Sequence, residues 1–81
     1  MFTLNKVPLA FLQEGEERVI IELRCGRGLS RRLAAMGFTP LTKVKVLSSN
    51  FPGPLLVEVR GSRVALGRGI AMKIFVNDGG E

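Results

Sequence analysis

The sequence predicts a mainly β fold: a small closed β-barrel of about five short strands with one or two short helices. One helix is expected between the first and second barrel strands. Three observations predict this. Apolar and polar residues alternate over several short stretches, the period-2 signature of strands with one buried face. Glycine- and proline-rich turn chemistry separates those stretches. Only one sustained segment has helical spacing, and it is too short to be stable without a sheet to cover. A barrel this small fills its interior with side chains and leaves few exposed edges.

The 81 residues fit one domain, for which about 50–200 residues is usual. That domain is expected over residues 1–77, with Asp78-Gly79-Gly80-Glu81 as a frayed tail. Thr3 to Val7 reads as extended, and Pro8 suits the first turn of a short helix over Leu9 to Leu12. Gly15 ends it. The first strand is expected from Arg18 to Cys25. There Val19, Ile21 and Leu23 form the buried face, and Ile20, Glu22 and Arg24 the other, with partial cover over Ile20.

Gly26 and Gly28 mark a turn. Leu29, Leu33 and Met36 then fall at i, i+4 and i+7, one face of a helix of about nine residues. Gly37 is placed to end it in a left-handed conformation, with Phe38 packing back on the last turn. Pro40 makes continuation unfavourable.

From Thr42 the alternation returns. Lys43-Val44-Lys45-Val46-Leu47 is one strand, and Asn50-Phe51-Pro52-Gly53-Pro54 is a turn. Leu55 to Arg60 is the next strand, with Leu55, Val57 and Val59 on one face. Gly61-Ser62 joins it tightly to Val64-Ala65-Leu66. Gly67-Arg68-Gly69 reads as a bend. The last strand is expected over Ile70, Met72, Ile74 and Val76, alternating with Ala71, Lys73 and Phe75.

Composition narrows the chemistry. The chain has no His, no Trp and no Tyr, so the commonest general base and the commonest metal ligand are missing. Its single cysteine, Cys25, excludes an internal disulfide and a Cys-only zinc site. No catalytic residue, resident metal or cofactor is expected. Cys25 reads as a small apolar filler, and Glu14, Glu16 and Glu17 as a solvated turn whose carboxylates do not converge. Gly26-x-Gly28 lacks both the third glycine of a dinucleotide loop and the Gly-Lys-Ser/Thr of a P-loop, so the chain is not itself a GTPase. No apolar run approaches the roughly 20 residues of a membrane helix, and Val7 to Leu12 is too short for a signal peptide core. A soluble, cytoplasmic protein without direct membrane insertion is expected.

The formal net charge is +5, which suits an anionic partner. Arg24, Arg27, Arg31 and Arg32 flank the start of the helix, where cations oppose its dipole. The candidate contact surface is Leu29, Arg31 and Arg32 on the helix with Phe51 and Pro52 at the hairpin tip; Leu41 and Phe38 are further candidates for an apolar patch. Such a patch also suits a symmetric homodimer. Nucleic acid is a weaker expectation, because stacking needs exposed aromatics and the Phe residues in strands read as core-directed.

The ordered series of motifs resembles the FeoA family, small cytosolic accessory proteins of bacterial ferrous-iron uptake. The likeness rests on residues 15–23 and on Gly-Arg-Gly-Leu-Ser-Arg-Arg-Leu-Ala-Ala-Met-Gly-Phe from Gly26 to Phe38. It continues through Thr42 to Leu47 and through Gly53-Pro54-Leu55-Leu56-Val57-Glu58-Val59-Arg60-Gly61. It ends with Val64-Ala65-Leu66-Gly67 and Ala71-Met72-Lys73-Ile74-Phe75-Val76. The resemblance implies an SH3-like barrel and a partner, the FeoB-type membrane GTPase that carries ferrous iron. It implies a non-enzymatic role through protein–protein contact. Two other classes of reading stand beside it: a small basic barrel that binds nucleic acid, and a metal-binding or metal-sensing module. The family carries glycine after the proline that follows the helix; Leu41 occupies that position here. Leu41 points to a different turn, or to an apolar contact.

Overall fold

The computed structural model describes residues 5–79. Six strands and two α-helices follow in the order β1 (Lys6–Pro8), a 3-10 turn (Leu9–Phe11), β2 (Glu17–Leu23), α1 (Arg27–Ala35), β3 (Lys43–Ser49), β4 (Leu55–Val59), β5 (Ser62–Leu66), α2 (Arg68–Ala71) and β6 (Ile74–Asn77). The proposed extension at Thr3 and Leu4, and the tail residues Gly80 and Glu81, lie outside the described residues.

The strands form one antiparallel sheet in the order β1-β6-β2-β3-β4-β5. This corrects the expected closed SH3-like β-barrel of about five strands. The described residues form six strands, and the terminal strands β1 and β5 do not pair with each other, so the sheet is open. β1 is three residues long and ends at Pro8, which has no N–H to offer a ladder. Its register runs only against β6, from Lys6↔Asn77 to Pro8↔Phe75. On the other side, β5 leads into the short α2, which packs on the 3-10 turn.

β2 bends the sheet. Its first half pairs with β3 (Glu17↔Lys45 to Val19↔Lys43), and its second half pairs with β6. A bulge lies in the β6 pairing between Ile20↔Val76 and Glu22↔Phe75, leaving Ile21 without a partner. An extra residue reverses the in–out alternation beyond it. Ile20, opposite Val76, is therefore fully buried, and Leu23, opposite Ile74, packs on the same core. The expected face of Val19, Ile21 and Leu23 is thus corrected in part: Leu23 packs on the core as read, but the buried anchor is Ile20.

Elsewhere the alternation reads through. Val44 and Val46 in β3, and Leu55, Val57 and Val59 in β4, are buried, while Lys43 and Lys45 are exposed. The β4–β5 hairpin closes through Arg60 (φ 50°) and Gly61 (φ 79°), the paired positive φ values of a two-residue turn that matches strand twist.

α1 is nine residues long and ends as its sequence requires. Gly37 has φ 106°. Its N–H donates to the Ala34 carbonyl (2.9 Å), and the Phe38 N–H donates to that of Leu33 (2.9 Å), the paired closure of a Schellman motif. Phe38 and Leu33 are both buried in the core. Phe38 therefore plugs the core and is removed from the apolar patch expected of it.

The last strand is shorter than expected. Ile74 and Val76 alternate inward as read, but the bend at Arg68 and Gly69 continues through Ile70 and Ala71 as α2, where extended chain was expected for the latter two. Ala71 is buried and Ile70 half-buried. One helical turn buries the small Ala71 and leaves Met72 on the surface.

Candidate docking surface

The described residues contain no group of three or more His, Cys, Asp or Glu able to hold a metal ion. Glu16 serves its own loop: one carboxylate oxygen accepts from the Gln13 N–H at 2.7 Å, and the other from Arg18 Nη2 at 2.7 Å. Cys25 is half-buried, with Sγ 3.2 Å from Ser30 Oγ. The Ser30 hydroxyl also donates to the Cys25 carbonyl at 3.1 Å, steadying the first turn of α1. Glu22 sits between Lys6 and Arg24, paired to both. Hydrogen bonds from Lys6 and then Arg24 hold its carboxyl below the ordinary value of 4.5. These groups tie strands and loops together and converge on no common point.

The prominent surface feature is apolar. Phe51 and Leu41 are each 82% exposed and Phe11 is 64% exposed. Isolated exposed apolar residues are ordinary, whereas grouped ones mark contact sites. Three elements group Phe11, Phe51 and Met72 here, without Leu41. The 3-10 turn supplies Ala10 and Phe11, the 50–54 turn supplies Phe51, and α2 with its C-cap supplies Arg68 and Met72. Together they line an open cleft of about 350 Å³.

Arg68 builds this cleft. Its Nε donates to the Gly53 carbonyl (2.9 Å), Nη1 to the Ala10 carbonyl (3.5 Å) and Nη2 to Ser49 Oγ (3.2 Å). One planar fork thus joins the 50–54 turn, the 3-10 turn and the end of β3. The guanidinium also lies 5.4 Å from the centre of the Phe51 ring, a distance at which ring and cation attract.

The expected contact residues fall into two groups. Phe51 and Pro52 are exposed at the hairpin tip, beyond the Leu55 end of β4. Arg31 and Arg32 are exposed on α1. The C-terminal end of that helix comes to the opposite end of β4, where Gly37 lies against Val59 and Arg60. Leu29 is half-buried and packs against the core. Sequence reasoning missed Phe11, Arg68 and Met72. Phe11 sat in a segment read only as a short helix, and Arg68 between two glycines read only as a bend. No local signal links Arg68 to the Phe51-Pro52 turn, because β4 and β5 separate them in the chain.

Leu41 keeps the backbone of a glycine. Its φ is 72°, its N–H donates to the Ile20 carbonyl at 2.7 Å, and its side chain points to solvent. The expected different turn is replaced by a left-handed residue, and the exposed side chain is left for the expected apolar contact.

The chain matches the FeoA domain model over residues 7–78. It is 46% identical over 77 residues to a Methanocaldococcus jannaschii protein named for Fe(2+) transport (transport protein A), covering 91% of this chain and 93% of that one. The crystal structure of an iron uptake regulatory protein (FeoA) superposes with a TM-score of 0.84 at 32% identity, over 90% of this chain and 97% of the other. Stenotrophomonas maltophilia FeoA complexed with zinc, described as a procaryotic SH3 domain protein, gives 0.75 at 26% identity, over 84% and 86%. The match to the domain model spans nearly every element described above, from β1 to β6, and on that ground the chain belongs to the FeoA family.

Proposed function

We propose that this chain is a non-enzymatic accessory protein of ferrous-iron uptake that works in the cytoplasm by docking on the cytosolic part of a FeoB-type membrane GTPase. FeoA-family proteins are non-catalytic and act with such transporters, and the family match over residues 7–78 is the observation that carries the reading. The exposed apolar residues grouped around Phe51 support a contact role. No helix among the described residues is long and apolar enough to cross a membrane. The proposed contact residues are Arg31 and Arg32, with the exposed part of Leu29, on α1, and Phe51 and Pro52 at the β3–β4 turn. Docking changes transport only if the chain binds one conformation of its partner more tightly than another.

The test is a pull-down with the purified cytosolic part of the transporter. Wild-type chain is expected to be retained. Arg31→Glu combined with Arg32→Glu, and separately Phe51→Ser, are expected to lower retention. Equal retention of both variants would remove these residues from the contact. No retention of the wild type in any nucleotide state would refute the reading.

A further inference from the structure

We propose that the cleft between the 3-10 turn, the 50–54 turn and α2 is a peptide-docking site for an apolar side chain flanked by a carboxylate on a partner protein. The proposal rests on the protein-contact reading above and adds the chemistry of the segment recognised.

Two features of the cleft specify that chemistry. Its lining is apolar, with Ala10, Phe11, Phe51 and Met72 around a space of about 350 Å³. That volume, at the small end of ligand pockets, suits one or two side chains. Its single charge among the described residues is Arg68. Among the described residues Arg68 forms no ion pair; three of its five N–H groups go to two carbonyls and one hydroxyl. Those neutral oxygens orient the guanidinium without cancelling its charge. The longest of the three contacts, 3.5 Å to Ala10, leaves Nη1 the least committed. A fixed, half-desolvated cation beside an apolar slot favours an anion, and a carboxylate matches the fork best.

Charge also selects the kind of partner. The chain carries net +5, so a second copy would approach against repulsion, while an acidic partner is drawn in. The exposed rings are rigid and two-sided, which makes them low-entropy anchors for an inserted side chain.

The test is an NMR titration of the isotope-labelled full chain with two acetylated, amidated pentapeptides, Asp-Leu-Glu-Phe-Asp and its neutral counterpart Asn-Leu-Gln-Phe-Asn. The acidic peptide is expected to give saturable shifts confined to Ala10, Phe11, Phe51, Arg68 and Met72. The neutral peptide is expected to bind roughly tenfold or more weakly, the usual worth of a charge-assisted pair. Phe51→Ser, an exposed position, is expected to remove binding with the fold intact. Arg68→Lys is expected to keep the charge and part of the affinity, and Arg68→Met to abolish the preference for acid. If Arg68→Met fails to fold, the two peptides and Phe51→Ser still decide the matter.

Equal affinity for the two peptides, no saturable shift, or shifts centred on Arg27, Arg31 and Arg32 would overturn the proposal. So would a concentration-dependent dimer that Phe51→Ser abolishes, because a second copy would then be the occupant. Failure of the two readings is distinguishable. If the transporter pulls down wild type and Phe51→Ser equally, the cleft proposal falls and the family role stands. If the transporter does not bind at all, the peptide titration still judges the cleft.

Discussion

Replacing Leu41 with glycine should make this protein more stable, although it deletes an apolar side chain. Leu41 has φ 72° and is 82% exposed. A left-handed conformation costs an L-residue about 1–2 kcal/mol, and glycine relieves it. Against this, glycine gains freedom in the unfolded chain, a loss of about 0.4–1 kcal/mol. Less than a fifth of the side chain is covered, so lost burial adds only about 0.4 kcal/mol of the roughly 2–3 that a full leucine contributes. The balance is a net gain of about 0.5 kcal/mol. For a domain of this size that raises Tm by about 2–4 °C and moves the urea midpoint up by about 0.5 M if m is near 1 kcal/mol/M. Urea unfolding followed by far-UV circular dichroism of wild type and Leu41→Gly measures it. A loss of 1 kcal/mol or more would refute the reasoning and show that Leu41 packs on something. If Leu41→Gly is more stable yet binds the transporter more weakly, the exposed leucine belongs to the contact surface.

Gly37→Ala should do the reverse. It forces a side chain into φ 106°, with the new Cβ 3.1 Å from Arg60 Cδ; Arg60 can swing aside, so the backbone dominates, and thermal unfolding should show a loss of about 1–2 kcal/mol. Phe38→Ala empties a fully buried ring site at the end of α1 and should cost about 3–5 kcal/mol. That is most of the stability of a small domain, so the variant should show collapsed amide dispersion in its NMR spectrum; a sharp native spectrum would contradict the Schellman closure as a core element. Glu22 has a folded-state pKa below 4.5, lowered by Lys6 first and Arg24 second. Its contribution is therefore present above the unfolded value and is lost as pH falls through the folded one. Urea midpoints should fall on acidification below pH 4.5, more for wild type than for Glu22→Gln; identical slopes would remove Glu22 as a cause.

The sequence was most readable where a neighbour in the chain settles the structure. Val44 and Val46, and Leu55, Val57 and Val59, alternate into the core as their spacing says, because the β3 bulge falls only after Val46 and β4 keeps one register against β5 along its whole length. The end of α1 was readable to the residue, because Gly37 and Phe38 close hydrogen bonds on the turn just before them. β2 was misread for the opposite reason. Its strand divides between β3 and β6, and the bulge that frees Ile21 is set by pairing with residues more than fifty positions away. α2 was misread because Arg68 draws its partners from Ala10, Ser49 and Gly53, none of them local.

Sequence by itself determined the class of this protein: a mainly β domain, the place and end of its helix, the absence of histidine chemistry, and a family whose motifs run along the chain. Those properties follow from composition and from interactions a few residues apart. Tertiary structure alone decided that the sheet stays open, that Ile20 and not Ile21 is the core anchor of β2, and that Ala10, Phe11, Phe51, Arg68 and Met72 share a cleft. Each of these depends on which distant backbone and side-chain groups meet once loops close, and no local pattern encodes that meeting.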